Sequence, residues 1–279
     1  MFGSSTITVL GESGQLNSNY PCDTEIISFE FDVAGKTVEF HIDVSAKQAT
    51  LADIVPLARK LFTKLAILFL ERHRGNGQSI PCCKGCSACC SYLIPMSVPE
   101  VFRLREELLA MPTDYSSRIL RSCLDTAEII LKKGAGRLNI NELTKNGLSQ
   151  KEQLSNWYAG LKIPCPFLSD GLCSLYEQRP LACREHIVTG SSFFCQPDHR
   201  DEPNVVPMPV SVLDALGQLT AELENLDIEA VMLPLAFAWT EDNLHRAEHT
   251  WPAVTMIKRF AEILKATAVK NSAMLAVVK

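Results

Sequence analysis

The stretch Cys82-Cys83-Lys84-Gly85-Cys86-Ser87-Ala88-Cys89-Cys90 places five of the chain's eleven cysteines in nine residues, directly after Pro81. A second group follows far downstream: Cys165, Cys173, Cys183 and Cys195 stand in a segment rich in Pro, Gly and Arg. A thiolate is soft, negatively charged and available at neutral pH once a metal lowers its pKa, so it binds zinc or iron well. Cys83-x-x-Cys86 has the chelate spacing of zinc knuckles and iron–sulfur loops, and Gly85 suits a tight turn that aims backbone N–H groups at the sulfurs. One such pair alone is a weak signal. Here Cys83-x2-Cys86-x2-Cys89-Cys90, followed by Cys165-x7-Cys173-x9-Cys183-x11-Cys195, offers eight candidate ligands. The two groups are expected to fold onto each other around metal.

Eight thiolates left unbound would be prone to oxidation and would repel one another. Cysteines that merely fill a core usually occur singly, which describes Cys22 and Cys123 but not this density. An odd total of eleven argues against a closed disulfide framework. Ligand count leaves the metal open: two four-thiolate zinc sites, one zinc and one cluster, or a single [4Fe–4S] cluster with spare cysteines all fit. Adjacent Cys89 and Cys90 are expected to point different ways and to serve different sites. His186, three residues after Cys183, and His199 could each replace a cysteine, although a supporting or solvated role is expected of both. Arg179 and Arg184 are read as offsetting the negative charge of a thiolate site rather than as surface ion pairs, and Tyr176 as packing. Cys82-x3-Cys86-x2-Cys89 formally fits the spacing of radical S-adenosylmethionine enzymes. Those enzymes set it in a β/α barrel, whereas the sequence here is helical downstream. Cys82 is therefore read as an extra neighbour of the chelate.

These residues resemble the YkgJ-like cysteine-cluster family, described as chelating zinc or iron. The resemblance is carried by Cys83-x-x-Cys86-x-x-Cys89-Cys90, Cys165-Pro166-Phe167-Leu168, Gly171-Leu172-Cys173-Ser174-Leu175-Tyr176 and Arg179-Pro180-x-x-Cys183-Arg184, in that order, over roughly residues 80–200. It implies that Cys83, Cys86, Cys89, Cys90, Cys165, Cys173, Cys183 and Cys195 all bind metal. The first expectation is an iron–sulfur cluster of the [4Fe–4S] kind and the second is zinc. Flagellin lysine N-methylases, within the broader family, are similar in the cysteine block and are thought to combine a cluster with S-adenosylmethionine. That implies an alternative, a cluster-dependent protein lysine N-methyltransferase with a protein substrate. Electron transfer is the third reading, and the sequence leaves open whether the chain is an enzyme. Gly11-Glu12-Ser13-Gly14 lacks the strand and helix that a nucleotide fingerprint requires.

The elements that must hold these cysteines are mostly helical. Ile27, Phe29, Phe31 and Val33, then Val38, Phe40, Ile42 and Val44 after Ala34-Gly35-Lys36, alternate with polar residues and predict a β-hairpin with one buried face. Residues 1–24, rich in Gly, Ser and Asn, read as loop. Helices are expected over 51–73, from Val98 to about Ala110 behind a Ser97 cap, over 114–133, about 150–161 and Val212–Leu223. They are also expected through the dense apolar run of Glu229–Trp239 and over Pro252–Val269. Between Ile163 and Pro209 prolines break every period, and with four cysteines there ligation can supply the order that a missing apolar core does not. The fold class is mainly α, with a small N-terminal β-hairpin and an irregular cysteine-rich metal-binding segment. We divide it into 1–75 (hairpin and helix), 76–209 (the cysteine region with inserted helices) and 210–279 (C-terminal helices on the core).

Charge is nearly balanced at −5, with no long basic run, so no nucleic-acid partner is expected. The start has neither a basic nor an apolar stretch of the signal-peptide kind. Leu61–Leu70 is interrupted by Lys64 and is short against the roughly 20 apolar residues of a membrane span. A soluble, cytoplasmic protein is expected, with no membrane partner.

Overall fold

The alternation through Ile27 and Phe29, then Val38, Phe40, Ile42 and Val44, becomes an antiparallel pair in the computed structural model. That model describes residues 7–10, 24–33, 36–134, 148–196, 199 and 202–277. Strand β2 (Glu25–Val33) pairs with β3 (Lys36–Val44) in the register Ile27↔Ile42 and Phe29↔Phe40, and the two phenylalanine rings stack at 5.3 Å. A third strand, β1 (Ile7–Leu10), lies on the other edge of β3, with Ile7 opposite Val44. The loop expected over residues 1–24 is therefore corrected at Ile7–Leu10. The rest of that stretch, with Gly11-Glu12-Ser13-Gly14 and Cys22, lies outside the described residues.

The apolar face of the sheet needs a cover, since two or three strands alone hold little stability. It is covered by α1 (Val55–Gly75), and the short strand β4 (Gln48–Ala49) leads into that helix. The helix begins later than the sequence suggests. The Asp53 carboxylate accepts from Thr50 N and Oγ1 at 2.8 and 2.9 Å, a 3-10 turn covers Ala52–Ile54, and Pro56 falls in the first α-helical turn, where no N–H is missed. Next come the first cysteine loop, β5 (Pro95–Ser97), α2 (Val98–Leu109), α3 (Thr113–Gly134) and α4 (Leu148–Gly160).

The proline-rich segment is ordered by small elements. They are the hairpin β6 (Leu168–Ser169) with β7 (Leu172–Cys173), the single turn of helix α5 (Leu181–Glu185), and β8 (Val188–Thr189) paired with β9 (Asn204–Val205). After α6 (Val212–Glu224), the run expected to be helical over Glu229–Trp239 divides. Ala230–Met232 is a strand, β10, antiparallel to β5; Leu233–Leu235 is a 3-10 turn; α7 (Ala236–Asp242) starts only then. Pro234 supplies the reason, because it has no N–H to donate and its ring blocks a helix running through it. The short α8 (Leu244–Ala247) and β11 (Trp251–Pro252), which pairs with β4, lead to the long α9 (Ala253–Val277).

One core joins the sheet to α1, α6 and α9 and takes in Leu181, Ile187 and Val206 from the proline-rich segment. A second lies among α2, α3 and β10 and holds Cys123, Phe167 and Leu175. The cysteine segment runs between the two. The tie between them is Glu100, whose side chain is fully buried. One carboxylate oxygen accepts from Ser97 N and Oγ at 3.1 and 2.9 Å, closing a capping box at the start of α2. The other accepts from Leu181 N at 2.6 Å, the first helical N–H of α5. Burial pushes this carboxyl above the usual range, against the pull of those bonds and of Arg59. Glu100→Ala leaves these buried donors without an acceptor, which costs on the order of 1–3 kcal/mol for each such group. We expect a lower denaturant midpoint with an unchanged m-value, together with faster hydrogen exchange at Leu181. A midpoint equal to wild type would show that the tie carries no stability.

Candidate metal centre

Residues 83–92 form a series of tight turns. Cys86 N donates to Cys83 O at 3.1 Å, Cys90 N to Ser87 O at 3.0 Å and Tyr92 N to Cys89 O at 3.1 Å. Gly85 takes φ +94°, a conformation that an L side chain resists. The second cysteine group docks through its backbone, with Cys165 N donating to Cys90 O at 2.6 Å. Ser174 N then donates to Phe167 O at 2.8 Å to close the β6–β7 hairpin, and Tyr115 Oη of α3 donates to Ser174 O at 2.8 Å. Cys183 sits inside α5, whose start is fixed by Glu100.

These turns enclose a cavity of about 200 Å³ lined by Cys86, Cys89, Cys90, Cys165, Cys173 and Cys183. Its other walls include Tyr92, Ile94, Phe167 and Leu233, and no Asp or Glu lines it. Both sequence groups thus meet at one place. Cys89 and Cys90 share it, and their thiols are close enough to hydrogen-bond, which corrects the expectation that they point different ways. In a tight turn successive side chains need not face opposite sides, as they do along a strand. Cys83 is exposed and Cys195 is buried, and neither lines the cavity. Cys82 packs against the first core, and its sulfur accepts from Val188 N at 3.4 Å. Cys123 is fully buried within α3. Among the described residues, no three Cys, His, Asp or Glu side chains stand arranged to hold a metal ion as they are. The thiols share a cavity without converging on one point.

The electrostatics explain why such a cavity calls for a cation. Burial pushes the Cys165 thiol up to about 12, and Cys173 and Cys89 add to the rise. Cys183 is raised well above the thiol range by burial, then by Cys165, Cys89 and Cys173. The bond to Cys90, then burial, raises Cys89 as well. Unaided, these groups stay protonated; a bound metal or cluster is a large local positive charge that reverses this preference. The soft, carboxylate-free donor set suits zinc or iron. Arg179 contributes in the same sense, lowering Cys82, Cys89, Cys173 and Cys183. Its guanidinium lies 4.1 Å from the Tyr176 ring centroid, and its Nε is buried without a hydrogen-bond partner. Arg184 is occupied differently, donating to Arg179 O at 3.0 Å and to Glu177 O. The charge-offsetting role read for both arginines falls to Arg179, while Arg184 braces the loop.

Residues 82–201, which include both cysteine groups and all eight candidate ligands, match a family model named CxxCxxCC, described as a "putative zinc- or iron-chelating domain". This segment is similar to the CxxCxxCC family. The matched segment begins at Cys82 and ends before α6, so the sheet, α1 and the C-terminal helices frame it from outside. No curated protein and no solved structure matches the chain. Among the described residues, no helix is long and apolar enough to cross a membrane.

Sequence reasoning offered His186 as a possible replacement for a cysteine but gave no sign of Tyr92. Tyr92 presents its ring edge-on to His186, with centroids 5.6 Å apart, and both line the cavity. His186 Nε2 is buried and without a hydrogen-bond partner. His199 lies elsewhere, against the rings of Phe193 and Phe194 at 4.7 and 4.8 Å. The placements predict a graded result for Cys→Ser variants. Cys86→Ser and Cys183→Ser should be purified with most of their metal lost, whereas Cys123→Ser should keep it, as read by metal content per chain. Equal loss in all three would overturn the assignment of the cavity as the metal centre.

Proposed function

We propose that this chain is a metal-binding protein that holds an iron–sulfur cluster between its two cysteine groups, with ligands drawn from Cys86, Cys89, Cys90, Cys165, Cys173 and Cys183. The observation that carries the reading is six thiols from both groups on one apolar-walled cavity. Six exceeds the four thiolates that a single structural zinc site or a single [4Fe–4S] cluster takes, so the count does not choose between them; the sulfur-rich, carboxylate-free donor set is what supports the cluster reading. Cys83 and Cys195, which the family resemblance also implicates, stand outside this proposed set. When bound, a cluster would supply one-electron redox capacity or an iron with Lewis acidity. The chain's own contributions are separate from that. Arg179 offsets thiolate charge, Phe167, Ile94 and Leu233 limit water, and the bond from Cys165 to Cys90 keeps the two groups in register.

Anaerobic purification followed by iron, zinc and sulfide analysis with an absorption spectrum tests this. Iron with matching sulfide and a broad band near the blue edge of the visible is expected. Stoichiometric zinc in a colourless protein would overturn the cluster and leave a zinc-chelating domain. If a cluster is present, titration with S-adenosylmethionine separates group transfer, including the lysine N-methyltransferase alternative, from electron transfer. A second prediction concerns metal removal. Structural metal sites contribute on the order of 10–16 kcal/mol to the fold they hold. Chelated protein should therefore be cut first within 76–94 and 163–209 in limited proteolysis, while the fragments containing α1 and α9 resist. Unchanged cleavage after metal removal would show that the two segments are ordered without it.

A further inference from the structure

The cavity lining holds one imidazole, that of His186, beside the thiols. His186 follows the last residue of α5, and its N–H donates to Ala182 O at 3.1 Å, so the helical turn that carries Cys183 continues to the imidazole. Cys183-x-x-His186 has the same separation as Cys83-x-x-Cys86 and Cys86-x-x-Cys89, the spacing at which two side chains can chelate one centre. The helix ends there, with φ −78° and ψ 87° at His186. The Tyr92 ring lies edge-on against the imidazole, and both rings line the cavity with the six thiols. His186 Nε2 is buried, nothing donates to it and nothing accepts from it. A buried polar atom left unpaired in this way is uncommon in a native fold and calls for a partner.

We propose that His186 Nε2 is a direct ligand of the metal centre, so that the cavity supplies a mixed nitrogen–sulfur donor set rather than an all-sulfur one. This rests on the reading that a metal or cluster occupies the cavity. A nitrogen ligand brings no negative charge. It therefore reduces the repulsion among Cys89, Cys165, Cys173 and Cys183, and in a cluster it raises the reduction potential relative to all-thiolate ligation.

The test uses the full chain purified with its metal. If iron is present, the protein is labelled with ¹⁵N-histidine, reduced, and examined by pulsed electron paramagnetic resonance. If zinc is present, the first shell is read by X-ray absorption at the zinc edge. The expected result is a directly bound imidazole nitrogen in the wild type, at about 2.0–2.1 Å in the zinc case. In His186→Cys the nitrogen signal should vanish while metal content is kept, because a thiolate can take the position, and the cluster's midpoint potential should fall. A wild-type centre with only sulfur in its shell overturns the proposal and leaves the metal reading intact. Nitrogen ligation that persists in His186→Cys overturns it too, by pointing to another histidine. A chain that binds neither iron nor zinc overturns both readings together. A wild-type shell of sulfur alone overturns the proposal whether or not the variant folds.

Discussion

The hydrogen bond from Leu181 N to Glu100 is the constraint on which the geometry of the cysteine region depends. Helix α5 has five residues, far too few to persist on its own propensity, since helix nucleation is unfavourable and short helices are marginal in water. Yet it carries Cys183 and leads to His186. It survives because both ends are held by carboxylates, one of them fully buried. At its start, Glu100 of α2 accepts from Leu181 N; at its end, its own Glu185 reaches α6, accepting from Ser211 Oγ at 2.8 Å and Leu213 N at 2.9 Å. Each carboxylate satisfies N–H groups that a helix start leaves without partners. The turn that carries Cys183 is thus clamped between two helices that belong to the cores rather than to the cysteine segment.

Those clamps are costly. Burial raises both carboxyls, Glu185 to about 7, so each loses part of what its hydrogen bonds contribute. The same tension governs the thiols, where burial and mutual repulsion favour the protonated form. A fold selected for stability alone would replace such groups with apolar ones. Here the carboxylates fix position, and on the proposed reading the thiols become useful only when a cation arrives. Arg179 partly anticipates that cation. It lowers several thiols at once, and stacking on Tyr176 holds its guanidinium in place through an interaction that needs no acceptor.

Local patterns made much of the fold legible. Alternation at Ile27–Val44 gave the hairpin, helical spacing gave α1, α3 and α6, and the Ser97 cap marked the start of α2. Where the sequence misled, a distant partner decides the structure. Ile7–Leu10 is a strand because β3 offers an edge, and Ala230–Met232 is a strand because Pro95–Ser97 lies beside it. The site divides in the same way. Cysteine spacing located both groups, but it could not tell that Cys83 and Cys195 fall outside the cavity, which depends on how the turns close. Nor could it separate Arg179 from Arg184, whose difference lies in which backbone carbonyls are within reach. Glu100 gave no sign of its role in the sequence, because its partner Leu181 is 81 residues away.

The cavity is bounded by contacts that owe nothing to metal. Leu181 and Ile187 belong to the core under the sheet, Phe167 and Leu175 to the core beside α3, and the backbones of Cys165 and Cys90 are already hydrogen-bonded. Small zinc-binding modules lack such support, and for them binding and folding are one event. In this chain the apolar cores can bring both cysteine groups to the same place first. Metal then has less chain to order and spends less of its binding energy on it, the usual benefit of preorganisation. What metal still has to do is draw the sulfurs to a common point, a local step taken within turns whose ends are already fixed. A centre built in this way can lose its metal while the sheet, α1 and α9 stay folded around the site.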